Sequence, residues 1–306
     1  MGISLGVVIV TYNRIEELKQ TLPLYEKQSF LPKRIVVVDN CSNDGTSEYL
    51  KEWASNLASG VLKHMITLPE NQGGSGGFYA GLSYMQSMED VDWIWVADDD
   101  AYPELDAFEY ADKFIVEHKE EINGISAVCG MCEYEGHIAS VQRARFQKTI
   151  FGKHEMPVKA KVFENNEVFD VDLYSFVGTI LNREKLLKAG LPRKDFFIYQ
   201  DDYEHAVRMG KLGRIVCYTK IKINHKDNYL MNNQVSWRDY YATRNIVIMY
   251  KEHFEKRDLR IRILRRLLVA YVSFNPKKIK VIKEAIKDGK EGKSGLHPVY
   301  VPGWKG

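Results

Sequence analysis

Short apolar runs alternate along the first half of the chain with stretches whose apolar residues recur every three or four positions. Gly6-Val7-Val8-Ile9-Val10, Arg34-Ile35-Val36-Val37-Val38 and Trp93-Ile94-Trp95-Val96-Ala97 read as strands buried on both faces, and Val61 to Leu68 as a weaker one. Between them, Ile15, Leu18, Leu22 and Tyr25 mark a helix that Pro23 is expected to kink. Thr46, Leu50, Trp53 and Leu57 mark a second helix, Phe78, Leu82 and Met85 a third, and Leu105 to Val116 a fourth. This alternation predicts an α/β fold, a mostly parallel sheet with helices on both faces. The pattern changes after about Ile125. Ile125 to Tyr134 and Phe169 to Leu181 read as strands, and the polar stretch Gly136 to Val168 as a hairpin or a flexible insertion. Tyr203 to Leu212 reads as a short helix and Ile215 to Tyr218 as a strand. From Ser236 onward everything reads helical, broken near Asn275-Pro276 and at Gly289. The expected division is a catalytic unit over 1–235 and a helical extension over 236–306.

Composition narrows the class. With 306 residues, 45% hydrophobic and 27% charged, the chain is neither disordered, collagenous nor a disulfide scaffold. A net charge of +2 argues against a general nucleic-acid binder. That balance hides an asymmetry: Lys251 to Gly306 carries 15 basic and 6 acidic residues, and the first 250 residues carry 28 and 35. In this tail Arg257, Arg260, Arg262, Arg265 and Arg266 interleave with leucines and isoleucines, and Lys277, Lys278, Lys280, Lys283 and Lys287 follow. Such a helix suits a peripheral membrane contact or a homo-oligomer interface; the bland alternative is a solvated face. No apolar run approaches the roughly 20 residues of a membrane-spanning helix, and no signal peptide is visible. Together with four cysteines expected to stay reduced, this places the chain in the cytoplasm, or peripherally at the inner face of the membrane.

Candidate chemistry gathers at the strand ends, where open α/β sheets bind ligands. The first strand runs into Thr11-Tyr12-Asn13-Arg14, the second into Asp39-Asn40-Cys41-Ser42-Asn43-Asp44-Gly45, the fourth into Asp98-Asp99-Asp100. In an extended chain Asp98 and Asp100 share a face, a natural seat for a hard divalent cation; an acidic turn or helix cap is the alternative. Asp39 suits a nucleoside contact or a tight Asx turn. Asn71-Gln72-Gly73-Gly74-Ser75-Gly76-Gly77 is a glycine-rich entry to a helix, and is not the dinucleotide fingerprint. Asp201-Asp202, beyond an aromatic run, suggests a carboxylate in a partly desolvated pocket or simply a capped helix start. Cys129-x-x-Cys132 lies in a strand and reads as buried structural thiols.

Taken in order, these segments, with Gly178, Asp201-Asp202-Tyr203-Glu204 and Tyr240-Tyr241-Ala242-Thr243-Arg244-Asn245, resemble family 2 glycosyltransferases of the GT-A fold over about Ser4 to Asn245. The glycine loop, the triple Asp and a downstream His are most similar to the galactofuranosyltransferase branch, with rhamnosyltransferases as neighbours. The resemblance implies a metal-dependent inverting transferase of bacterial surface polysaccharide synthesis. Its donor is a nucleotide sugar, UDP-galactofuranose first and dTDP-rhamnose as the alternative, and its acceptor a glycan or lipid-linked saccharide. A catalytically inert sugar-nucleotide-binding partner subunit is the alternative from another class. By the same resemblance Thr11 and Asp39 hold the nucleoside, Arg14 approaches the diphosphate, and Asn71, Gly73 and Gly74 line the donor pocket. Asp98 and Asp100 form the Asp-x-Asp motif for Mn²⁺ or Mg²⁺, His225 adds a metal ligand, and Asp202 is the general base. Tyr174 and Phe176 fall where relatives carry acceptor-facing aromatics.

Overall fold

The computed structural model describes residues 2–118, 120–150, 152–225 and 234–306. Four strands, β1 (Leu5–Thr11), β2 (Arg34–Asp39), β3 (Leu62–Thr67) and β4 (Trp93–Asp98), lie parallel, joined by helices α1 (Ile15–Glu26), α2 (Thr46–Ser55) and α3 (Gly73–Gln86). Helix α1 runs through Pro23, whose carbonyl still accepts the Lys27 N–H at 3.1 Å. After β4 the chain makes a short β5 (Ala101–Pro103) and α4 (Ala107–Glu117), then β6 (Ile125–Tyr134) and β7 (His137–Ile138). The polar stretch that follows takes the hairpin form: β8 (Arg143–Thr149), β9 (Gly152–Pro157) and a short α5 (Ala160–Asn165). Arg143 anchors it, its buried guanidinium donating to the Gly130, Gln142 and Val177 carbonyls at 3.0, 2.8 and 2.7 Å.

The stretch Phe169 to Leu181 is not one strand. It breaks into β10 (Val168–Val171), β11 (Leu173–Tyr174) and β12 (Thr179–Asn182), because the chain crosses from the sheet edge to the hairpin and back to the centre. Its apolar residues are buried in three places rather than along one extended run. Then come α6 (Arg183–Ala189), α7 (Asp201–Gly210) and β13 (Arg214–His225), longer than the strand its apolar core suggests. The main sheet has the order β10-β13-β6-β12-β4-β1-β2-β3, with β12 antiparallel between β4 and β6. One face buries Trp95, Phe108 and Tyr25; the other buries Val8, Val38, Leu82 and Ile94. Cys129 and Cys132 are buried in β6, away from any helix start.

The extension forms α8 (Trp237–His253), α9 (Lys256–Val272) and α10 (Pro276–Glu291). The break at Asn275 is real: its side chain caps α10 by accepting the Lys277 and Lys278 N–H groups at 3.0 and 3.2 Å. The expected break at Gly289 is absent. A Cβ there would lie 2.8 Å from the Arg244 carbonyl, so this glycine lets α10 close onto α8 rather than ending it. Residues beyond 291 are not helical but run back to the cleft, where Ser236 and Lys305 form a β-bridge and the Gly306 N–H reaches the Val235 carbonyl at 3.1 Å. The arginines of α9 do not share one face. Arg262 pairs with Glu155 of β9, and Arg266 is half-buried, its pKa lowered to about 10 by desolvation and by Arg262. No helix among the described residues is long and apolar enough to cross a membrane.

Candidate active site

The parallel register levels the strand ends. Thr11 pairs with Asp39 and Val10 with Asp98, so the loops after β1, β2 and β4 open onto one sheet edge. Strand β13 reaches the same edge from the far side: its last residue, His225, pairs with Ala101 of β5, which sets the imidazole beside Asp100. A cleft of about 1140 Å³ opens there. Thr11, Arg14, Asn71, Gly73, Gly74, Asp98, Asp99, Asp100 and His225 line it, on residues far apart in sequence.

One ligand atom each from Asp98, Asp100 and His225 lies within 4.8 Å of the other two. The His225 Nε2 sits 3.2 Å from an Asp100 oxygen whose partner oxygen accepts from Arg14 at 2.7 Å. Burial alone would raise the Asp100 pKa, but His225 and Arg14 outweigh it and hold the carboxyl below the usual range. For Asp98 the same two cations do not suffice. Burial and the Asp100 charge outweigh His225 and Arg14 and push it up to about 7. Two carboxylates and an imidazole this close together are a donor set that fits a divalent cation, and the nitrogen suits Mn²⁺ better than Mg²⁺. Asp99 turns elsewhere, accepting the Thr11 hydroxyl at 2.7 Å and pairing with Arg14 at 3.1 Å. Thr11 and Arg14 therefore brace the acidic turn in addition to lining the cleft.

Asp39 lies beneath the cleft and not on its wall. It is fully buried, accepting the Ser42 N–H at 2.9 Å and the Ser47 hydroxyl, so both carboxylate oxygens close the loop after β2. Asn40, beside it, does line the cleft. Its side chain ties that loop to the glycine segment, donating to Asn71 Oδ1 at 3.1 Å and the Gly73 carbonyl at 2.9 Å. Gly73 has φ +71°, and a Cβ there would overlap the Phe197 carbonyl; Gly74 faces open space.

Asp201 and Asp202 begin α7, where three non-glycine residues just before them, Phe197, Tyr199 and Gln200, have φ of 68°, 66° and 69°. Such backbone is costly and persists only where its surroundings enforce it. The enforcement comes from α8. The Asn245 amide donates to the Phe196, Ile198 and Tyr199 carbonyls at 3.0, 2.9 and 2.9 Å, and Arg244 donates to Phe196 O at 3.1 Å. Burial raises Asp201 to about 6. Asp202 is raised well above the carboxylate range by burial, then by Asp201, then by the field of Asp98. Tyr174 and Phe176, expected on the acceptor side, are buried against His205 and are not among the residues that line the cleft.

Sequence reasoning missed one wall altogether. Trp237 and Arg238 at the start of α8, with Pro302, Trp304 and Lys305 of the returning tail, also line the cleft. The Trp237 N–H reaches Trp304 O at 3.4 Å. Trp237 reads as core in a helix pattern, and the turn residues Gly292, Gly295, Pro298 and Pro302-Gly303 are the signals that the tail leaves the helix.

This edge, with its aspartate turn and a glycine-rich helix start, has the architecture of a GT-A glycosyltransferase. The family model for glycosyl transferase family 2 matches residues 6–162, and the chain belongs to that family. Among curated proteins it is 25% identical over 220 residues to galactofuranosyltransferase GlfT1 of Mycobacterium tuberculosis, covering 69% of this chain and 66% of the relative. It is 32% identical over 96 residues to the protein of that name from Mycolicibacterium smegmatis, covering 31% and 30%. The chain thus spans just under two thirds of the first relative's length. Solved structures share the fold at low identity. They include Staphylococcus aureus TarS 1-349 in complex with UDP (TM-score 0.56, 15% identity, 95% and 92% coverage). A mannosyltransferase from Pyrobaculum calidifontis, in complex with GDP-Man and Mn²⁺, has TM-score 0.57 at 16% identity, with 97% and 77% coverage. GalNAc-T7 with UDP, GalNAc and Mn²⁺ has TM-score 0.64 at 13% identity, with 95% and 56% coverage.

Proposed function

We propose that this glycosyltransferase is metal-dependent and inverting, and moves galactofuranose from UDP-galactofuranose to a hydroxyl of a cell-surface glycan or lipid-linked saccharide. The observation that carries the reading is the Asp98, Asp100 and His225 set lining the cleft, with the charge of Asp98 felt at Asp202. The donor sugar rests on the mycobacterial galactofuranosyltransferase relatives. Asp98, Asp100 and His225 would hold Mn²⁺ or Mg²⁺, which when bound neutralises a donor diphosphate and the charge that grows on a departing nucleotide. Arg14 adds a positive charge at the same turn, and Thr11, Asn71, Gly73 and Gly74 shape the donor pocket, with Asp39 fixing the loop beneath. Asp202 accepts the proton of the acceptor hydroxyl as that oxygen attacks the anomeric carbon. Attack opposite the leaving group inverts the configuration there.

The test is nucleotide release by the purified protein against a panel of sugar nucleotides. UDP release is expected from UDP-galactofuranose with Mn²⁺, and its loss with EDTA or in Asp100→Ala. Consumption of dTDP-rhamnose alone overturns the donor assignment, and full activity in EDTA overturns the metal assignment.

A further inference from the structure

The corner between α9 and α10 is apolar and bare. Leu264, Leu268, Val269 and Val272 are each 60 to 64% exposed, Tyr271 is 48% exposed, and Phe274, at the tip of the turn, is 90% exposed. Single exposed apolar residues are ordinary, but six within eleven positions make a patch. The inner face of the same helix shows what normal packing looks like here: Ile263 and Ala270 are buried against α8 and α10.

Phe274 is more telling than its exposure alone. It has φ +50° in the turn just after α9, a position where glycine is the favoured residue. A large aromatic in left-handed backbone, with its ring in solvent, contributes nothing to folding that glycine would not do better. Its exposed ring points to a contact outside this chain. Basic residues surround the tip. Lys277, Lys280 and Lys283 are exposed at the start of α10, with Lys283 Nζ 5.3 Å from the Tyr271 ring centre, and Arg260 is exposed one turn before Leu264.

We infer that this corner docks on an anionic lipid bilayer, with Phe274 and Leu268 entering the interface and the lysines lying among the headgroups. A protruding apolar tip ringed by positive charge is complementary to a fluid anionic surface. A second copy of the chain is a poor occupant, because a symmetric contact through this patch sets lysines against lysines. The structure also separates the arginines. Arg262 and Arg266 face inward, to Glu155 and the α8 backbone, so they hold the helix in place and do not meet lipid. The inference is independent of the donor sugar, and vesicle binding needs no substrate.

The experiment is co-sedimentation of the full chain with phosphatidylcholine vesicles, with and without phosphatidylglycerol, across a salt series. Binding is expected only with the anionic lipid and is expected to weaken as salt rises. Phe274→Gly should lower the partition coefficient about tenfold or more, the scale of one aromatic side chain withdrawn from an apolar environment, while leaving the melting temperature unchanged or higher. Lys277→Glu with Lys280→Glu should remove most of the preference for anionic lipid. The inference falls if anionic vesicles pellet no more protein than neutral ones, or if Phe274→Gly binds as the parent does. It also falls if light scattering shows a dimer that Phe274→Gly dissolves while vesicle binding persists.

Discussion

Asp201 and Asp202 are neighbours in sequence, and their surroundings suit them to different tasks. Asp202 carries the higher pKa, because it is buried and faces the charges of both Asp201 and Asp98. A base with a raised pKa is competent only as pH climbs through that value, so kcat/KM should rise along an acid limb. Asp201→Asn removes one like charge, lowers the Asp202 pKa and moves that limb to lower pH. A pH–rate profile that stays put, or moves up, contradicts this. Asp202→Asn should lose roughly 10²–10⁴-fold at every pH while UDP still binds by calorimetry; near-normal turnover would remove Asp202 from the role. At this scale much was legible in the sequence. Asp98 and Asp100 at the end of β4, the glycine entry and His225 line one cleft, because parallel topology brings strand ends together from any distance in the chain. Asp39 shows what was not legible: an Asp at a strand end can face a ligand or bond its own loop, and residue type does not decide between them.

Among the elements, the stretch from Phe196 to Gln200 stands out, because its left-handed backbone is held from a helix more than 40 residues away. The Asn245 amide is a donor to three carbonyls in a dry setting, so its loss leaves buried acceptors short of partners, at about 1–3 kcal/mol. Asn245→Ala should lower the melting temperature and cut turnover by a larger factor than that destabilisation explains. Asn245→Asp, though isosteric, should be worse than alanine in stability, since a carboxylate would face carbonyl oxygens. If thermal melts rank the aspartate variant above the alanine one, the amide is not the clamp. Periodicity identified α8 as a helix and could not reveal this task, because buried polar residues on a helix look the same whether they cap a loop or line a site. The three-way break of Phe169 to Leu181 was hidden for a related reason: apolar runs report burial, not the element they are buried against.

At the scale of the whole molecule, the two parts named from charge and pattern are bolted together. Glu204 of α7 accepts from Arg208 at 2.8 Å and from His253 of α8 at 2.8 Å. Burial would raise its pKa, but these partners win and hold it at about 2. A folded pKa below the unfolded value stabilises above the unfolded value, about 4.3, and is lost as pH falls toward 2. Glu204→Gln should therefore cost on the order of 3 kcal/mol at neutral pH and flatten acid unfolding between about pH 4.5 and 2. An unchanged acid transition would show that another carboxylate sets it. The change in pattern sets the expected division near residue 235, yet a change in pattern carries no information on how tightly the sides are joined. The Asn245 clamp has a consequence for how such enzymes diversify. A crossover placed at that seam would graft a foreign helix onto a catalytic turn it was never shaped to hold. The heritable unit is thus discontinuous, Phe196 to Gln200 together with Arg244 and Asn245, and a new C-terminal region is useful only if it arrives with its matching turn.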